Sequence, residues 1–210
     1  MNNWNNDYKE FWNARYGEVE FVYGKEPNLF FKEWIQKFKP KTILMPADGE
    51  GRNGVYAAQL GWAVTSIDQS EDGKSKALKL ARENQVSLDY IVDDLEEVQF
   101  NKDSFDAIGL IYAHFTAEKK AQLHQKLDNY LKSGGLIIFE AFSKLHLLYN
   151  EKEPKVGGPK DIGMLFSITE IANYFENYEI LVLEEKEVTL EEGKYHKGKS
   201  SVIRFVGIKK

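Results

Sequence analysis

Between residues 41 and 142 the chain alternates short apolar runs with segments of helical periodicity, and this alternation constrains the fold more than any other feature. The predicted strands are 41–45, 63–68, 88–94, 105–115 and 136–142, and the predicted helices are 54–61, 74–84 and 116–131. Strands that alternate with helices form βαβ units around a parallel sheet. The sequence therefore predicts an α/β fold in which most strands are parallel.

The pattern changes after residue 142. Residues 143–163 form a long connection with two prolines and three glycines, and connections longer than about 15 residues are usually functional or disordered. Ser167 and Glu170 have the spacing of a capping box before a helix at 169–175. The last two strand patterns, 178–190 and 200–209, flank a polar loop at 191–199 and predict an antiparallel hairpin.

The first forty residues differ in composition from the rest of the chain. They are rich in aromatic side chains and precede the first sheet strand, so they must pack on the domain from outside. Whether they form a lid or simply pack is open at this point. The aromatic residues are Trp4, Tyr8, Phe11, Trp12, Tyr16, Phe21, Tyr23, Phe30 and Phe31.

The overall composition excludes several classes of protein. A chain of 210 residues suits a single domain, and we expect residues 1–210 to form one. The formal net charge is −5, and no basic cluster is interleaved with aromatic residues, which argues against a nucleic-acid partner. Cysteine is absent, no basic and apolar leader opens the chain, and no apolar run approaches the about 20 residues of a membrane span. We expect a cytoplasmic protein with no membrane partner. The sequence does not determine the oligomeric state.

The stretch "MPADGEGRNG" at residues 45–54 lies between the first predicted strand and the first predicted helix. It contains Gly49-x-Gly51-x-x-Gly54, and Asp68 ends the next strand 19 residues after Gly49. Glycines let the backbone approach a ligand closely, and a carboxylate at the next strand end can accept both ribose hydroxyls. This geometry suits any adenosine-containing cofactor, so NAD and S-adenosylmethionine are both candidates.

The charges of the loop favour one of these cofactors. A dinucleotide would place its pyrophosphate at the amino terminus of the following helix. Asp48 and Glu50 would then put two carboxylates near that anion, and only Arg52 could oppose them. S-adenosylmethionine has no phosphate and carries a positive sulfonium. The loop therefore favours S-adenosylmethionine.

Further segments strengthen this interpretation by resemblance to a family. "VDDLEEVQF", "DSFDAIGLI" and "LKSGGLIIFEAF" resemble the class I, seven-stranded, Rossmann-like S-adenosylmethionine-dependent methyltransferases. The amino-terminal "FWNARYGEVEFVYGKEPNLFF" and carboxy-terminal "LEEGKYHKGKSSVIRFVGIKK" are similar to the subgroup of the tellurite-resistance and thiopurine methyltransferases. The resemblance implies a three-layer sandwich with an antiparallel carboxy-terminal hairpin. It also implies an amino-terminal segment (1–40), a cofactor-binding half (41–142) and a substrate side (143–210).

The resemblance also assigns expected cofactor contacts. It implies that an amino-terminal segment closes over the cofactor and that Arg15 pairs with the cofactor carboxylate. Met45 stands where the family usually has an acidic residue and Ala47 where it has a glycine, so Asp48 is expected to supply the acidic contact instead. Asp93 or Asp94 is expected to bind the adenine amino group. The full set of expected cofactor-binding residues is Trp12, Arg15, Tyr16, Asp48, Gly49, Gly51, Asp68, Gln69, Asp93, Asp94 and Leu95.

The expected activity is methyl transfer to a small molecule. The sequence contains no obvious general-base motif, which is compatible with a soft sulfur, selenium or tellurium nucleophile. The catalytic residue is not identified, but His114, Arg15 and Tyr23 are candidates. His196 lies between glycines in the predicted hairpin loop and is expected at the surface, and the four histidines show no metal-ligand spacing. The alternatives are a degenerate, non-catalytic member and, with less support, an NAD-dependent oxidoreductase.

Overall fold

The computed structural model describes residues 3–210, with side chains from Tyr8 onward, so the side chain of Trp4 lies outside the described part. A seven-stranded sheet in the order β3-β2-β1-β4-β5-β7-β6 forms the centre of the molecule. Its strands are β1 (Thr42–Pro46), β2 (Ala63–Asp68), β3 (Asp89–Val92), β4 (Phe105–Ile111), β5 (Leu131–Phe142), β6 (Tyr178–Glu192) and β7 (His196–Lys209). Strands β1 to β5 are parallel, and β7 is antiparallel to both β5 and β6. The predicted Rossmann-like fold is confirmed.

Helices cover both faces of this sheet and complete three layers. They are α1 (Asn3–Tyr16), α2 (Leu29–Ile35), α3 (Arg52–Gln59), α4 (Glu71–Glu83), α5 (Ala117–Tyr130), α6 (Leu147–Asn150) and α7 (Ile168–Tyr174). Side chains alternate between the faces of β1. Leu44 joins the core with α5 and α7 on one face. Ile43 and Met45 join the core with α2 and α3 on the other.

Several predicted boundaries were wrong, each for a local backbone reason. Strand β4 ends at Ile111 and not at residue 115, because Tyr112 adopts a left-handed φ of 53°. Helix α3 begins at Arg52, with Gly51 as a left-handed N-cap, so Gly54 lies inside the helix. Strand β5 begins at Leu131, and it includes the Gly-Gly turn that was predicted to precede it. The predicted capping box of Ser167 and Glu170 is present at the start of α7.

The amino-terminal block has two parts with different surroundings. Helix α2 belongs to the core, since Phe31 and Ile35 are fully buried. Helix α1 docks on the amino end of α4, where Asn13 Oδ1 accepts hydrogen bonds from Ser70 Oγ (2.7 Å) and the Glu71 amide (3.1 Å). No helix in residues 3–210 is long and apolar enough to cross a membrane.

Candidate active site

A cavity of about 680 Å³ opens at the carboxyl ends of β1, β2 and β4. Ligands of open α/β sheets bind at this edge, and the volume is within the range of small-molecule sites. The glycine loop and the ends of β2 and β3 form one end of the cavity, and α1, the 143–164 connection and the β6–β7 hairpin form the rest. The structure thus brings all the predicted cofactor residues except Gly51 to the wall of one cavity.

The glycine loop has a backbone that few other sequences could adopt. Gly49 and Gly51 have left-handed φ angles of 55° and 80°, and Ala47 has one of 53°. The Gly49 amide donates to Asp68 Oδ2 at 3.0 Å, and its carbonyl accepts from the Tyr90 hydroxyl. A Cβ on Gly51 would lie 2.5 Å from Cβ of Ala77 in α4. These contacts hold the loop rigidly against β2 and α4.

Asp68 lies at the end of β2, where the sequence placed it. Its Oδ1 accepts from the Ser70 amide at 3.0 Å. Burial raises the pKa of Asp68 to about 6 and outweighs the opposing effect of the Ser70 and Gly49 amides. The carboxylate is therefore charged near neutral pH and faces the cavity. Next to it, Gln69 Oε1 is buried and has no hydrogen-bond partner among the described residues, so it is an acceptor that a ligand could satisfy.

The two aspartates after β3 both take part in local turns. Asp93 Oδ1 accepts from the Asp94 amide at 2.8 Å, and Asp94 Oδ1 accepts from the Glu96 amide at 2.9 Å. Both residues line the cavity together with Leu95. The choice between them as the adenine ligand stays a prediction.

Asp48 is built into the base of the loop. Its Oδ2 accepts from Ser66 Oγ at 2.7 Å and its Oδ1 from the Gly54 amide at 3.3 Å. Burial raises the pKa of Asp48 to about 7, against the effect of these bonds. Met45 is 1% exposed and packs in the core rather than in the cavity. That Asp48 replaces the missing acidic contact stays a prediction.

The other two charges of the loop are neutralised by protein groups. Glu50 is 3% exposed, accepts from the amides of Val22 and Tyr23 at 3.1 and 3.2 Å, and forms an ion pair with Lys76 at 2.8 Å. Arg52 forms a buried ion pair with Glu192 at 2.7 Å. Glu50 therefore fastens the amino-terminal segment to the loop, and Arg52 is already paired.

Helix α1 covers the glycine loop with aromatic side chains. Trp12 stacks on Tyr16 with ring centroids 5.3 Å apart, and a Cβ on Gly49 would lie 2.4 Å from the Tyr16 hydroxyl. Arg15 donates to the Tyr23 hydroxyl at 3.2 Å and lies 3.8 Å from the centre of the Tyr195 ring. Within residues 8–210, Arg15 has no carboxylate within ion-pair distance, so its charge is available to a ligand.

The opposite end of the cavity contains a histidine that the sequence placed at the surface. That expectation for His196 was wrong: strand pairing continues to the Glu192–His196 pair, which shortens the hairpin loop to 193–195 and buries His196 to 5% exposure. Its Nδ1 lies 3.3 Å from Glu192 Oε2. Its ring contacts those of Tyr23 and Tyr112, with centroids 4.6 and 4.5 Å away.

His114 also lines the cavity, but both ring nitrogens already have partners. Nδ1 lies 2.9 Å from the Met164 carbonyl, and Nε2 accepts from the Phe142 amide at 3.3 Å. Burial lowers the pKa of His114 to about 3, against the effect of the Met164 carbonyl, so the ring is neutral. The geometry supports a role in joining β5 to the 143–164 connection. No group of three His, Asp or Glu residues in the described part of the chain is placed to hold a metal ion.

The central part of the chain is similar to a known family. The family described as "Methyltransferase domain" matches residues 44–139, which is just under half of the chain. This segment, from β1 to β5, carries the glycine loop and Asp68. The segment has the Rossmann-like fold and is similar to methyltransferase domains, a class of enzyme whose cofactor is S-adenosylmethionine.

Particular relatives are similar along different shares of the chain. YbaJ, an uncharacterized methyltransferase of Bacillus subtilis (strain 168), is 26% identical over 108 residues, or 51% of this chain and 42% of YbaJ. The chain thus spans less than half the length of that relative. TehB from Haemophilus influenzae shares the fold with a TM-score of 0.70 and 18% identity over 96% of this chain and 67% of TehB. Magnesium protoporphyrin IX methyltransferase (ChlM) from Synechocystis PCC 6803, solved with bound SAH, has a TM-score of 0.74 and 13% identity over 98% of this chain and all of ChlM.

Proposed function

We propose that this protein is an S-adenosylmethionine-dependent methyltransferase that acts on a small-molecule acceptor. The observation that carries the proposal is the pair formed by Asp68 and Gly49 at the carboxyl edge of the sheet, held by the 3.0 Å hydrogen bond from the Gly49 amide. A carboxylate at this place can accept ribose hydroxyls, and the glycine leaves room for the rest of the cofactor.

The charges of the site fit this cofactor better than a dinucleotide. A pyrophosphate at the start of α3 would need a cation, but Arg52 is bound to Glu192 at 2.7 Å. Asp68, Asp93 and Asp94 would add negative charge nearby. The bound cofactor would supply an electrophilic methyl group on a positive sulfur, which these carboxylates tolerate.

The remaining cavity residues have roles that follow from their positions. Asp68 and Gln69 would bind the ribose, and Asp93 or Asp94 with Leu95 would bind the adenine at the ends of β2 and β3. Arg15 would bind the cofactor carboxylate, since it lacks a carboxylate partner of its own in the described part of the chain. Trp12 and Tyr16 would cover the bound cofactor and exclude water. The protein then contributes mainly alignment of acceptor and donor.

The similarity to TehB along 96% of the chain supports a finer proposal, membership of the tellurite-resistance and thiopurine methyltransferase subgroup. That subgroup suggests a soft sulfur, selenium or tellurium acceptor. In the sequence the same suggestion depended on the lack of a visible base. The buried His196–Glu192 pair is a candidate base, so the lack of a base no longer supports a soft acceptor. Experiment has to identify the acceptor.

Cofactor binding tests the proposal directly. In thermal-shift and calorimetric titrations we expect S-adenosylmethionine and S-adenosylhomocysteine to bind and NAD to have no effect. A ligand at 100 times its Kd stabilises a protein by about 2.7 kcal/mol. Asp68→Asn should weaken binding at least tenfold, whereas the control Asp89→Asn, an exposed aspartate at the start of β3, should bind normally.

The alternatives give different results in the same titrations. Binding of NAD alone would show a nicotinamide-dependent oxidoreductase. Binding of none of the three ligands would show a degenerate member in which Met45 and Ala47 have abolished cofactor binding. Either result would overturn the proposed function.

A further inference from the structure

The hairpin end of the cavity holds a chain of three polar side chains, and the inference drawn from it rests on the proposed function. Arg52 pairs with Glu192 at 2.7 Å, and Glu192 Oε2 lies 3.3 Å from Nδ1 of His196. Burial opposes the charge of Glu192, but Arg52 and His196 outweigh it and hold the pKa of Glu192 at about 2. Glu192 is therefore an ionised carboxylate at every pH at which the protein would work.

An ionised carboxylate next to Nδ1 fixes the tautomer of the neutral ring. Glu192 can only accept, so Nδ1 carries the hydrogen and the lone pair is on Nε2. Burial lowers the pKa of His196, against the effect of Glu192, so the neutral ring predominates near neutrality. No residue of the described part of the chain hydrogen-bonds Nε2. His196 thus presents a proton acceptor to the cavity, oriented by a carboxylate.

Along the sheet, His196 lies in the region where the methyl acceptor would bind and not in the region of the cofactor's adenosine. The ends of β2 and β3 carry Asp68 and Asp94, and β1 carries the glycine loop. In the sheet order, β4, β5 and β7 lie on the other side of β1. Tyr112, directly after β4, is 4.5 Å from the His196 ring, centre to centre. A cofactor that extends from Asp68 across the glycine loop therefore points its reactive end toward this group.

Other polar groups in this region are less suited to take a proton. Both ring nitrogens of His114 are engaged. Glu140 is 1% exposed and bound to Arg204, Tyr112 and Asn28. Tyr23 is protonated, since burial raises the pKa of its hydroxyl to about 12, against the effect of Arg15. Of these groups, His196 alone has a ring nitrogen that can accept a proton and that no residue in the described part of the chain hydrogen-bonds.

We propose that His196 is the general base of the reaction and that the acceptor is a weakly acidic hydroxyl on a planar ring. The rings of Tyr23, Tyr112 and Phe142 surround His196, with centroids 4.6, 4.5 and 5.2 Å away, and form walls for a flat molecule. The acceptor oxygen forms the bond to the methyl carbon, the carbon–sulfur bond of the donor breaks with its electron pair going to sulfur, and the acceptor proton moves to Nε2. Glu192 stabilises the resulting imidazolium until water removes the proton.

The first test needs no acceptor. Nitrogen NMR of the protein labelled with ¹⁵N-histidine, at pH 7.5, should show His196 as a neutral ring with hydrogen on Nδ1 and none on Nε2. His196→Gln assigns the signal by its loss. A ring with hydrogen on Nε2, or a positively charged ring, would overturn the proposal, because neither could accept a proton at that atom.

The second test compares acceptors that do and do not need a base. The probes are phenol, which is protonated at pH 7.5, and 4-nitrophenol and thiophenol, which are largely anionic. In His196→Gln, methylation of phenol should fall by about 10²–10⁴-fold, the usual contribution of a general base, and that of the two anionic probes by less than tenfold. Lys197→Gln, an exposed neighbour on β7, should match the wild type with all three.

Each other outcome contradicts a stated part of the proposal. An equal fall for the three probes would mean that His196 only shapes the cavity, and no fall would mean that it takes no part. If the wild-type protein binds S-adenosylmethionine but methylates none of the probes, the acceptor class is wrong while the proposed function stands. If the cofactor itself does not bind, the proposed function fails instead.

Discussion

Gly49 lies where the glycine loop and the covering helix α1 come closest, and Gly49→Ala tests whether that approach matters. Its φ of +55° is left-handed, and an added Cβ would lie 2.4 Å from the hydroxyl oxygen of Tyr16 and 2.8 Å from its Cζ. Tyr16 is itself buried and stacked on Trp12. The methyl group therefore has to push an aromatic pair away from the loop.

The expected cost has two parts. A non-glycine residue in the left-handed region costs about 1–2 kcal/mol, and overpacking costs typically about 1–3 kcal/mol. Gly49→Ala should thus lower the free energy of unfolding by about 2–5 kcal/mol. The displaced Tyr16 would also leave the cofactor less covered, and a loss of about 1.4 kcal/mol in binding is tenfold in Kd. Urea denaturation measures the first effect and calorimetry with S-adenosylmethionine the second.

A second glycine supplies the matched control. Gly134 in β5 has a φ of +75°, but no atom lies within 4 Å of the Cβ that alanine would add. Gly134→Ala should therefore show only the backbone cost, about 1–2 kcal/mol, and normal cofactor affinity. The difference between the two variants isolates the contact with Tyr16.

A double-mutant cycle identifies the contact itself. If the clash with Tyr16 is the cause, Gly49→Ala should be less harmful in a Tyr16→Ala background, with a coupling of about 0.5–3 kcal/mol. Equal losses for Gly49→Ala and Gly134→Ala, or a coupling near zero, would refute the inference that Tyr16 closes over the loop at Gly49.

Two further variants test the charged groups of the loop. Folding raises the pKa of Asp48 from its usual 3.8 to about 7. The stability that its protonation contributes is therefore complete below pH 4 and is lost as the pH rises through 7. In urea denaturation between pH 4 and 8, Asp48→Asn should flatten this decline in stability, and an unchanged decline would contradict the raised pKa. Arg52→Gln leaves Glu192 buried without its cation and should lower the free energy of unfolding by about 3–5 kcal/mol. The control Arg82→Gln, on the exposed end of α4, should lower it by less than about 0.5 kcal/mol. Equal losses would mean that the ion pair of Arg52 contributes nothing to stability.

The parts of the molecule that sequence predicted well depend on local patterns. Strand and helix periodicity predicted every strand of the sheet, and the glycine loop followed by Asp68 was predicted because strand, turn and helix lie close together along the chain. The boundaries failed where one residue takes an unusual backbone angle. Tyr112 ends β4 with a φ of +53°, and no residue type near it signals that turn.

Contacts between distant segments could not be predicted in the same way. Glu50 binds Val22 and Tyr23, and Arg52 binds Glu192, which is 140 residues away. From the sequence both charges were weighed only for their effect on a nearby pyrophosphate, because the protein groups that neutralise them lie elsewhere in the chain. His196 was mistaken for a loop residue since glycines flank it. The pairing of Glu192 and His196 across a three-residue turn is the one local sign that could have indicated their contact.

These distant contacts also explain why the cavity can favour one kind of cofactor. Asp48, Glu50 and Arg52 look like ligand-facing charges in the sequence, but Ser66, Lys76 and Glu192 engage them within the protein. The start of α3 is left with backbone amides and with no unpaired cation of its own. A pyrophosphate there would be desolvated beside Asp68 with no free cation from α3 itself, at a cost that the helix amides offset only in part. A positive sulfonium meets no such penalty, and the same ion pair of Arg52 that disfavours a dinucleotide also holds Glu192 beside His196.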